Sequence, residues 1–186
     1  MATMLDHLSD QHLLQRIDRG DTTSFETLFH RHYDRVYGIL FRLVGTRAEA
    51  EDLLQEVFMR LYQRPPHDQN REHNVGAWLY RVATNVGYNA IRSRKRRWQR
   101  DTVLVPPDRD PMANPERQLE SDETAATVRE ALAQLPQQQA QLLILRQMGL
   151  SYAELADACE LNVNSVGTLL ARAARAFKFI YETQKG

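Results

Sequence analysis

The side chains best suited to chemistry in this sequence lie in residues 78–100, which hold seven basic residues and no acidic ones. The cations at the end of this segment could neutralise phosphates, and they are Arg92, Arg94, Lys95, Arg96 and Arg97. Near its start, Trp78 and Tyr80 carry aromatic rings that can stack on unpaired bases. Between them, Asn85 and Asn89 lie one helical turn apart, and asparagine can both donate to and accept from a base edge. The segment therefore predicts a nucleic-acid surface.

Each of these features also has an ordinary structural explanation. A basic run is usually a solvated face, Trp78 could be a core anchor, and most surface asparagines bind nothing. The nucleic-acid interpretation is favoured because the cations continue directly from an apolar helical pattern. A packed helix would hold their charges in a fixed frame.

A second candidate surface lies in residues 151–186, where two helical patterns of unequal length are separated by a turn at Leu161 and Asn162. This arrangement is typical of a helix-turn-helix, whose second helix presents its outward N-terminal residues to the major groove. The candidate DNA-binding residues are Asn162, Asn164, Ser165, Thr168, Arg172 and Arg175. The alternative is a plain helical hairpin in an all-α domain.

Residues that could support catalysis or metal binding do not assemble into a site. Four carboxylates in residues 49–62 lie opposite the apolar stripe of a helical pattern, where they are usually solvated. No Ser/His/acid set or glycine-rich phosphate loop accompanies them. His30 and His32 do not share a helix face, and a single cysteine, Cys159, excludes a cysteine-rich zinc site. We therefore expect no metal, no cofactor and no enzymatic activity.

The elements that position these residues are predicted from charge and periodicity. The chain has 186 residues and a net charge of zero, but residues 78–100 carry +7 and residues 101–124 carry −5. The acidic stretch is rich in proline, which is typical of a linker. Elsewhere apolar residues recur at helical spacing. The sequence predicts an all-α protein with helical domains at 1–98 and 121–186, joined by a flexible acidic linker at 99–120.

Cap signals divide the two domains into helices. Ser9 is expected to cap a first helix that ends before Gly20, Gly45 to end the second, and Pro65-Pro66 to stop the third. Asn162 is expected to cap the last helix. Three pairs match the capping-box pattern, and they are Thr23 with Glu26, Thr46 with Glu49, and Ser151 with Glu154.

The chain carries no membrane or export signal that we can identify. No apolar run approaches the length of a membrane span. The N-terminus, MATMLDHLSDQHLL, lacks a basic region ahead of an apolar stretch, so no signal peptide is predicted. We expect a cytoplasmic protein without direct membrane contact.

Three stretches of the chain, in this order, resemble the extracytoplasmic-function sigma factors, the smallest members of the primary sigma family. They are AEAEDLLQEVFMRLYQ at 48–63, WLYRVATNVGYNAIRSRKRR at 78–97 and LPQQQAQLLILRQMGLSYAELADACELNVNSVGTLLARA at 135–173. Three motifs in the correct order are far more specific than any one of them. The resemblance implies a factor that brings core RNA polymerase to promoter DNA and assists its opening.

The resemblance also implies roles for residues of the N-terminal domain. The residues that would contact the beta-prime clamp of core polymerase are Asp52, Leu53, Gln55, Glu56 and Phe58. Asn85 would read a non-template base of the minus-ten element, and the loop from Pro66 to Val75 would hold a flipped base. Arg92 and the cations after it would follow the DNA backbone.

The third stretch would read the minus-thirty-five element and contact the polymerase beta flap, and the linker would enter the RNA-exit path. An anti-sigma factor is a further implied partner. The chain departs from the family at Glu160, where a turn glycine is usual, at Asn89, where an acid is frequent, and at Ala140, Gly167 and Leu169, where cations are common. We therefore expect the C-terminal domain to bind a minus-thirty-five element weakly.

Two other functions fit part of the sequence. A sigma-like interaction protein would bind polymerase or an anti-sigma factor without reading promoters, and the few cations of the last helix favour it. The basic segment 78–97 argues against it. A duplex-binding repressor would leave the stretch 48–63 unexplained.

Overall fold

The computed structural model describes residue 5 and residues 7–66, 74–100 and 115–185. Over these residues the chain forms eight α-helices and no strand, so the all-α prediction is confirmed. The helices are α1 (Asp10–Ile17), α2 (Thr22–Val44), α3 (Arg47–Gln63), α4 (Val75–Arg100), α5 (Pro115–Gln134), α6 (Gln137–Gln147), α7 (Tyr152–Cys159) and α8 (Val163–Lys185). Helices α1–α4 form the N-terminal domain and α5–α8 the C-terminal domain.

The ends of α1 and α2 follow local cap chemistry. Ser9 caps α1, as predicted, and Gly45 ends α2 with a left-handed φ of 81°. The capping box predicted at Thr23 is wrong. Asp21 caps α2 instead, because its carboxylate accepts hydrogen bonds from the backbone N–H groups of Thr23 and Ser24 at 3.0 and 3.3 Å.

The start of α3 also differs from the prediction. Thr46 occupies the N-cap position, but its side chain makes no capping hydrogen bond. Glu49, the expected partner in a capping box, forms an ion pair with Arg94 of α4 instead. Glu49 therefore makes a contact between α3 and α4 instead of a capping contact within α3.

Helix α4 packs on α2 and α3 and supplies much of the N-terminal core. Leu79 and Ala83 are fully buried. Gly87 allows a close approach of α2, because a Cβ atom at this position would lie 2.6 Å from Cδ1 of Leu43. A glycine inside a helix costs about 1 kcal/mol relative to alanine, and this close crossing explains its presence.

The C-terminal domain keeps the predicted helix-turn-helix pattern. The capping box at Ser151 is confirmed, with reciprocal bonds of 3.3 and 2.8 Å between Ser151 and Glu154. Helix α5 begins at Pro115, before the predicted start near Ser121. The ends of the predicted linker, 99–100 and 115–120, are thus helical, and residues 101–114 lie outside the described residues.

The two domains pack against each other. Helices α5, α6 and α7 all contact α4, and the buried apolar side chains of both domains form one continuous core. The Tyr88 hydroxyl donates to the backbone carbonyl of Leu135 at 2.5 Å. The buried amide of Gln141 donates to the Thr84 hydroxyl at 3.0 Å. The sequence predicted the two domains but not this interface.

Candidate nucleic-acid interface

The N-terminal half of α4 is fixed by a polar cluster beneath it. The Tyr80 hydroxyl lies 3.4 Å from Nδ1 of His32 and accepts from Arg35 at 3.5 Å. Nε2 of His32 lies 2.7 Å from a carboxylate oxygen of Asp10, which is paired on its other oxygen with Arg31. These contacts connect α1, α2 and α4. They fix both the position and the rotation of α4 about its axis.

This cluster changes the interpretation of the two aromatic residues. Tyr80 is only 7% exposed, and this burial argues against the predicted stacking of its ring on bases. Its ring and hydroxyl are engaged by His32 and Arg35. Trp78 is half-buried and packs against the core, as the core-anchor alternative expects. Tyr80 therefore presents no free stacking surface here, whereas part of Trp78 stays accessible.

The polar face of α4 carries a line of candidate DNA-binding groups. At 100° per residue, Asn85, Asn89, Arg92 and Arg96 fall within an arc of about 60°. Asn89, Arg92 and Arg96 are exposed, as is Arg97 beside them. Asn85 is half-buried, because its amide oxygen accepts a hydrogen bond from Gln137 of α6 at 2.9 Å. The face is therefore open along its C-terminal part and covered at Asn85.

Two cations of the basic segment have other surroundings. Arg94 pairs with Glu49 and donates to the carbonyl of Val44 at 3.2 Å, so it joins α4 to the α2–α3 corner. This engagement argues against the predicted phosphate contact of Arg94. Lys95 is half-buried. Among the described side chains of this segment, the exposed cations suited to phosphates are thus Arg92, Arg96 and Arg97.

Helix α3 separates the predicted polymerase-binding residues into exposed and buried groups. Asp52, Gln55 and Glu56 are exposed and Leu53 is half-buried. Phe58 is 2% exposed and packs against Phe25 and Phe29, with ring centroids 6.4 and 4.6 Å away. The structure thus places Phe58 in the core, where it packs α3 against α2. Helical spacing places Phe58 on the apolar face of α3, and only the family resemblance assigned it to polymerase contact.

Two exposed apolar residues on α3 were missed. Met59 is 54% exposed and Tyr62 is 50% exposed. Helical spacing places Tyr62 at the edge of the apolar face of α3, whereas Met59 lies on the opposite face. Large exposed apolar side chains beside carboxylates are a feature of protein-binding faces.

The recognition helix α8 presents all of its predicted DNA-binding residues to solvent. Asn164, Ser165, Thr168, Arg172 and Arg175 fall within an arc of about 100°, and each is exposed. Asn162 is exposed too, but its side chain accepts from the backbone N–H of Asn164 at 2.9 Å and caps the helix, as predicted. Among the described residues, no other helix covers this face.

The turn of the helix-turn-helix is made without glycine. Glu160 adopts φ 54° and ψ 49°, the left-handed conformation in which a residue with a side chain is disfavoured by about 1–2 kcal/mol. Its carboxylate forms an ion pair with Arg81 of α4. Cys159, just before it, is buried, and burial raises the pKa of its thiol to about 11. The thiol is thus protonated and unreactive at neutral pH, as expected for a packing residue.

The described residues contain no group of three or more His, Cys, Asp and Glu side chains that could hold a metal ion. Among those same residues, no helix combines the length and apolar character that a bilayer span requires. The loop predicted to hold a flipped base, Pro66 to Val75, lies mostly outside the described residues, since residues 67–73 are not described.

A helical domain with a basic helix, followed by a helix-turn-helix domain, defines a class of two-domain helical DNA-binding proteins. The sequence profile of Sigma-70 region 2 matches residues 28–97, and that of Sigma-70 region 4 matches residues 125–177. The chain belongs to the sigma-70 family of RNA polymerase sigma factors and is of the extracytoplasmic-function type. It binds core RNA polymerase, directs it to promoter DNA for transcription initiation, and is not an enzyme.

Relatives from several bacteria match nearly the whole chain. The RNA polymerase sigma-H factor of Pseudomonas aeruginosa is 32% identical, with 93% of this chain and 94% of the relative covered. The ECF RNA polymerase sigma-E factor of Haemophilus influenzae is 29% identical, with 91% and 94% covered. The ECF factor SigW of Bacillus subtilis is 27% identical, with 89% and 92% covered.

Solved structures share the fold. The structure of CnrH in complex with the cytosolic domain of CnrY matches with a TM-score of 0.60 at 20% identity, covering 94% of this chain and 97% of that one. The sigma factor RpoE of Bartonella quintana, in complex with the anti-sigma factor NepR, matches with a TM-score of 0.52 at 21% identity, covering 85% and 96%.

Proposed function

We propose that this sigma factor reads the minus-ten element as a single strand along the polar face of α4. Asn85 hydrogen-bonds a non-template base, and Arg92, Arg96 and Arg97 follow the phosphates. The observation that carries this proposal is the alignment of Asn85 with Arg92 and Arg96 on one rigid helix. Seven residues separate Asn85 from Arg92, which is about 10 Å along the helix axis. A base-reading amide and phosphate-binding cations therefore share one track.

The exposed faces of α3 and α8 have further roles in this proposal. The exposed part of α3, with Asp52, Gln55 and Glu56, binds the core polymerase clamp, and Met59 and Tyr62 extend that face. The exposed face of α8 reads the minus-thirty-five element, weakly because it carries few cations. An anti-sigma factor regulates the protein, and the complexes of CnrH and of RpoE with their partners support this role. The sigma factor acts in the cytoplasm, together with the polymerase.

Run-off transcription with core polymerase tests this proposal. The chain should support transcripts from a subset of host promoters that core polymerase alone does not produce. An Asp52→Arg variant should lose most of this activity, because it reverses a charge on the proposed polymerase face. The matched control, Glu26→Arg, reverses an exposed charge on α2 and should retain activity. Transcripts of equal yield without the chain would contradict the proposal.

One observation favours the interaction-protein alternative: Asn85 is occupied by Gln137 rather than free. A protein of this kind would bind polymerase and leave α4 covered. The discriminating experiment is binding of a single-stranded minus-ten probe by the polymerase complex. Sequence-independent binding would favour the alternative.

A further inference from the structure

Helix α1 lies ahead of residues 28–97, the part of the chain that matches Sigma-70 region 2. Its apolar side chains Leu13, Leu14 and Ile17 are buried, and the helix packs against α2. This packing accounts for the attachment of α1 to the domain. It does not account for Asp10, a carboxylate in the first turn that lies on the same face of the helix and is only 23% exposed.

Asp10 joins α1 to α2 through both of its carboxylate oxygens. One oxygen pairs with Arg31 at 2.5 Å, and the other lies 2.7 Å from Nε2 of His32. Arg31 also donates to the backbone carbonyl of Leu8, just before α1, at 3.0 Å. Since a carboxylate only accepts hydrogen bonds, Nε2 of His32 carries the proton in this contact. The imidazole ring is therefore held in place from the α1 side.

The other side of the same imidazole ring supports α4. Arg35 can only donate, so the Tyr80 hydroxyl accepts from it at 3.5 Å and keeps its own proton for Nδ1 of His32, 3.4 Å away. The rings of His32 and Tyr80 also meet edge to face, with their centroids 6.0 Å apart. Asp10 and Tyr80 thus bind opposite nitrogens of one ring and are connected through it.

The first turn of α4 rests directly on this imidazole ring. A Cβ atom at Gly76 would lie 3.2 Å from Cε1 of His32, so glycine lets the helix approach this closely. His32 is only 7% exposed, which leaves the ring little room to move. Asn85 lies about 7.5 Å beyond Tyr80 along the helix axis, a distance over which a helix turns as one body. Any rotation that separates Tyr80 from His32 therefore turns Asn85 by the same angle.

We propose that Asp10 is a positioning residue for promoter opening: through His32 and Tyr80, it sets the rotation of α4 and thereby the direction of its DNA-binding face. That this face reads a base through Asn85 rests on the proposed function. Asp10 acts on α4, whereas the residues proposed to bind core polymerase lie on α3. The expected effect is therefore on the opening of the promoter and not on the affinity for polymerase.

The test compares Asp10→Asn with the parent protein in two measurements. One is the affinity for core polymerase, and the other is the rate of open-complex formation by the saturated complex on a matched host promoter. Asp10→Asn keeps the size of the side chain and removes its charge. It should slow opening by about threefold to tenfold, because a DNA-binding face that is no longer held in place must be reoriented. The affinity for core polymerase should not change.

Asp21→Ala is the matched control. The Asp21 carboxylate caps α2 and pairs with Arg16, away from the imidazole ring beneath α4. Loss of this cap should destabilise the domain, as Asp10→Asn does, but it should leave the opening rate unchanged. Equal slowing by the two variants would overturn the positioning role, since lower stability alone would then explain both. A parallel loss of polymerase affinity in Asp10→Asn would overturn it as well.

Tyr80→Phe tests the connection through His32, because it removes only the hydroxyl group on the far side of the ring. It should slow opening about as much as Asp10→Asn, and the double variant should open no more slowly than the slower single variant. Losses that multiply in the double variant would overturn the connection. If Asn85→Ala leaves the opening rate unchanged while Asp10→Asn and Tyr80→Phe remain coupled, the base-reading role of Asn85 fails and the positioning of α4 stands.

Discussion

The helices α4 and α8 both carry candidate DNA-binding residues, but they differ in what lies over them and beneath them. Asn85 on α4 is hydrogen-bonded to the other domain, whereas Asn164 and Thr168 on α8 are exposed. Helix α4 rests on a polar cluster that links three helices, while α8 is positioned mainly by apolar packing against α5, α6 and α7.

The physical reason for this difference is that the two faces would bind different forms of DNA. A duplex-reading helix inserts into a preformed major groove and needs an open, protruding surface. A face that binds an unpaired base acts only after the strands separate, and it can be covered until then. On the proposed roles, the face that would bind a single strand is covered at Asn85 and the face that would bind a duplex is open.

The largest expected effect concerns the glycines inside the two helices. Gly87→Ala should lower the free energy of unfolding by about 1–3 kcal/mol, because its Cβ would lie 2.6 Å from Leu43. Gly167→Ala should raise it by up to about 1 kcal/mol, because its nearest neighbour, Tyr152, is at an ordinary 3.4 Å and alanine favours the helix. Urea unfolding measures both. Equal effects at the two sites would contradict the tighter packing of α4.

The salt dependence of single-strand binding distinguishes the arginines of α4 from those of α8. With a single-stranded minus-ten probe, replacing Arg92 and Arg97 by alanine in the polymerase complex should reduce the slope of log affinity against log salt by about 1.4. Replacing Arg172 and Arg175 should leave that slope unchanged, because α8 is proposed to bind duplex DNA. A reduced slope for the α8 variant would show that both faces contact the single strand.

A smaller effect concerns the support of α4. Asp10 is partly desolvated, which raises its pKa, but hydrogen bonds and charges from His32 and Arg31 outweigh this and leave the pKa below its usual 3.8. Since the pKa is lowered in the folded state, the carboxylate stabilises the fold above pH 3.8 and this stabilisation is lost as the pH falls below that value. Asp10→Asn should remove about 1 kcal/mol at neutral pH.

The measurement for Asp10 is urea unfolding at several pH values. The stability difference between the parent and Asp10→Asn should begin to shrink as the pH falls below 3.8, and it should vanish once the pH is below the lowered pKa of the folded carboxylate. A constant difference down to pH 2 would show that the Asp10 charge has no part in supporting α4.

Much of the fold could be predicted because it depends on local signals. Helix periodicity, Gly45 and the Ser151–Glu154 box are contained within a few residues of sequence, and the structure confirms each. The capping box at Thr46 failed because Glu49 has a stronger partner in Arg94, 45 residues away along the chain. Sequence spacing does not show that competition.

The candidate site was predictable in part, for the same reason. The five predicted residues in α8 and the capping residue Asn162 are all exposed as expected, since a recognition helix has a defined outward face. Tyr80 and Phe58 were assigned to binding but are buried, because residues distant in sequence, His32 and Phe29, pack on them. The interdomain role of Gln137 had no sequence signal.

The central claim is that the covered face of α4, rather than the open face of α8, makes the decisive contact with promoter DNA. The direct test is the rate of open-complex formation by core polymerase with each of two variants on one matched promoter. Asn85→Ala should slow it by about tenfold to a hundredfold, the loss of one good base contact, whereas Asn164→Ala should slow it less than threefold. An unchanged rate for Asn85→Ala, or a larger loss for Asn164→Ala, would contradict the claim.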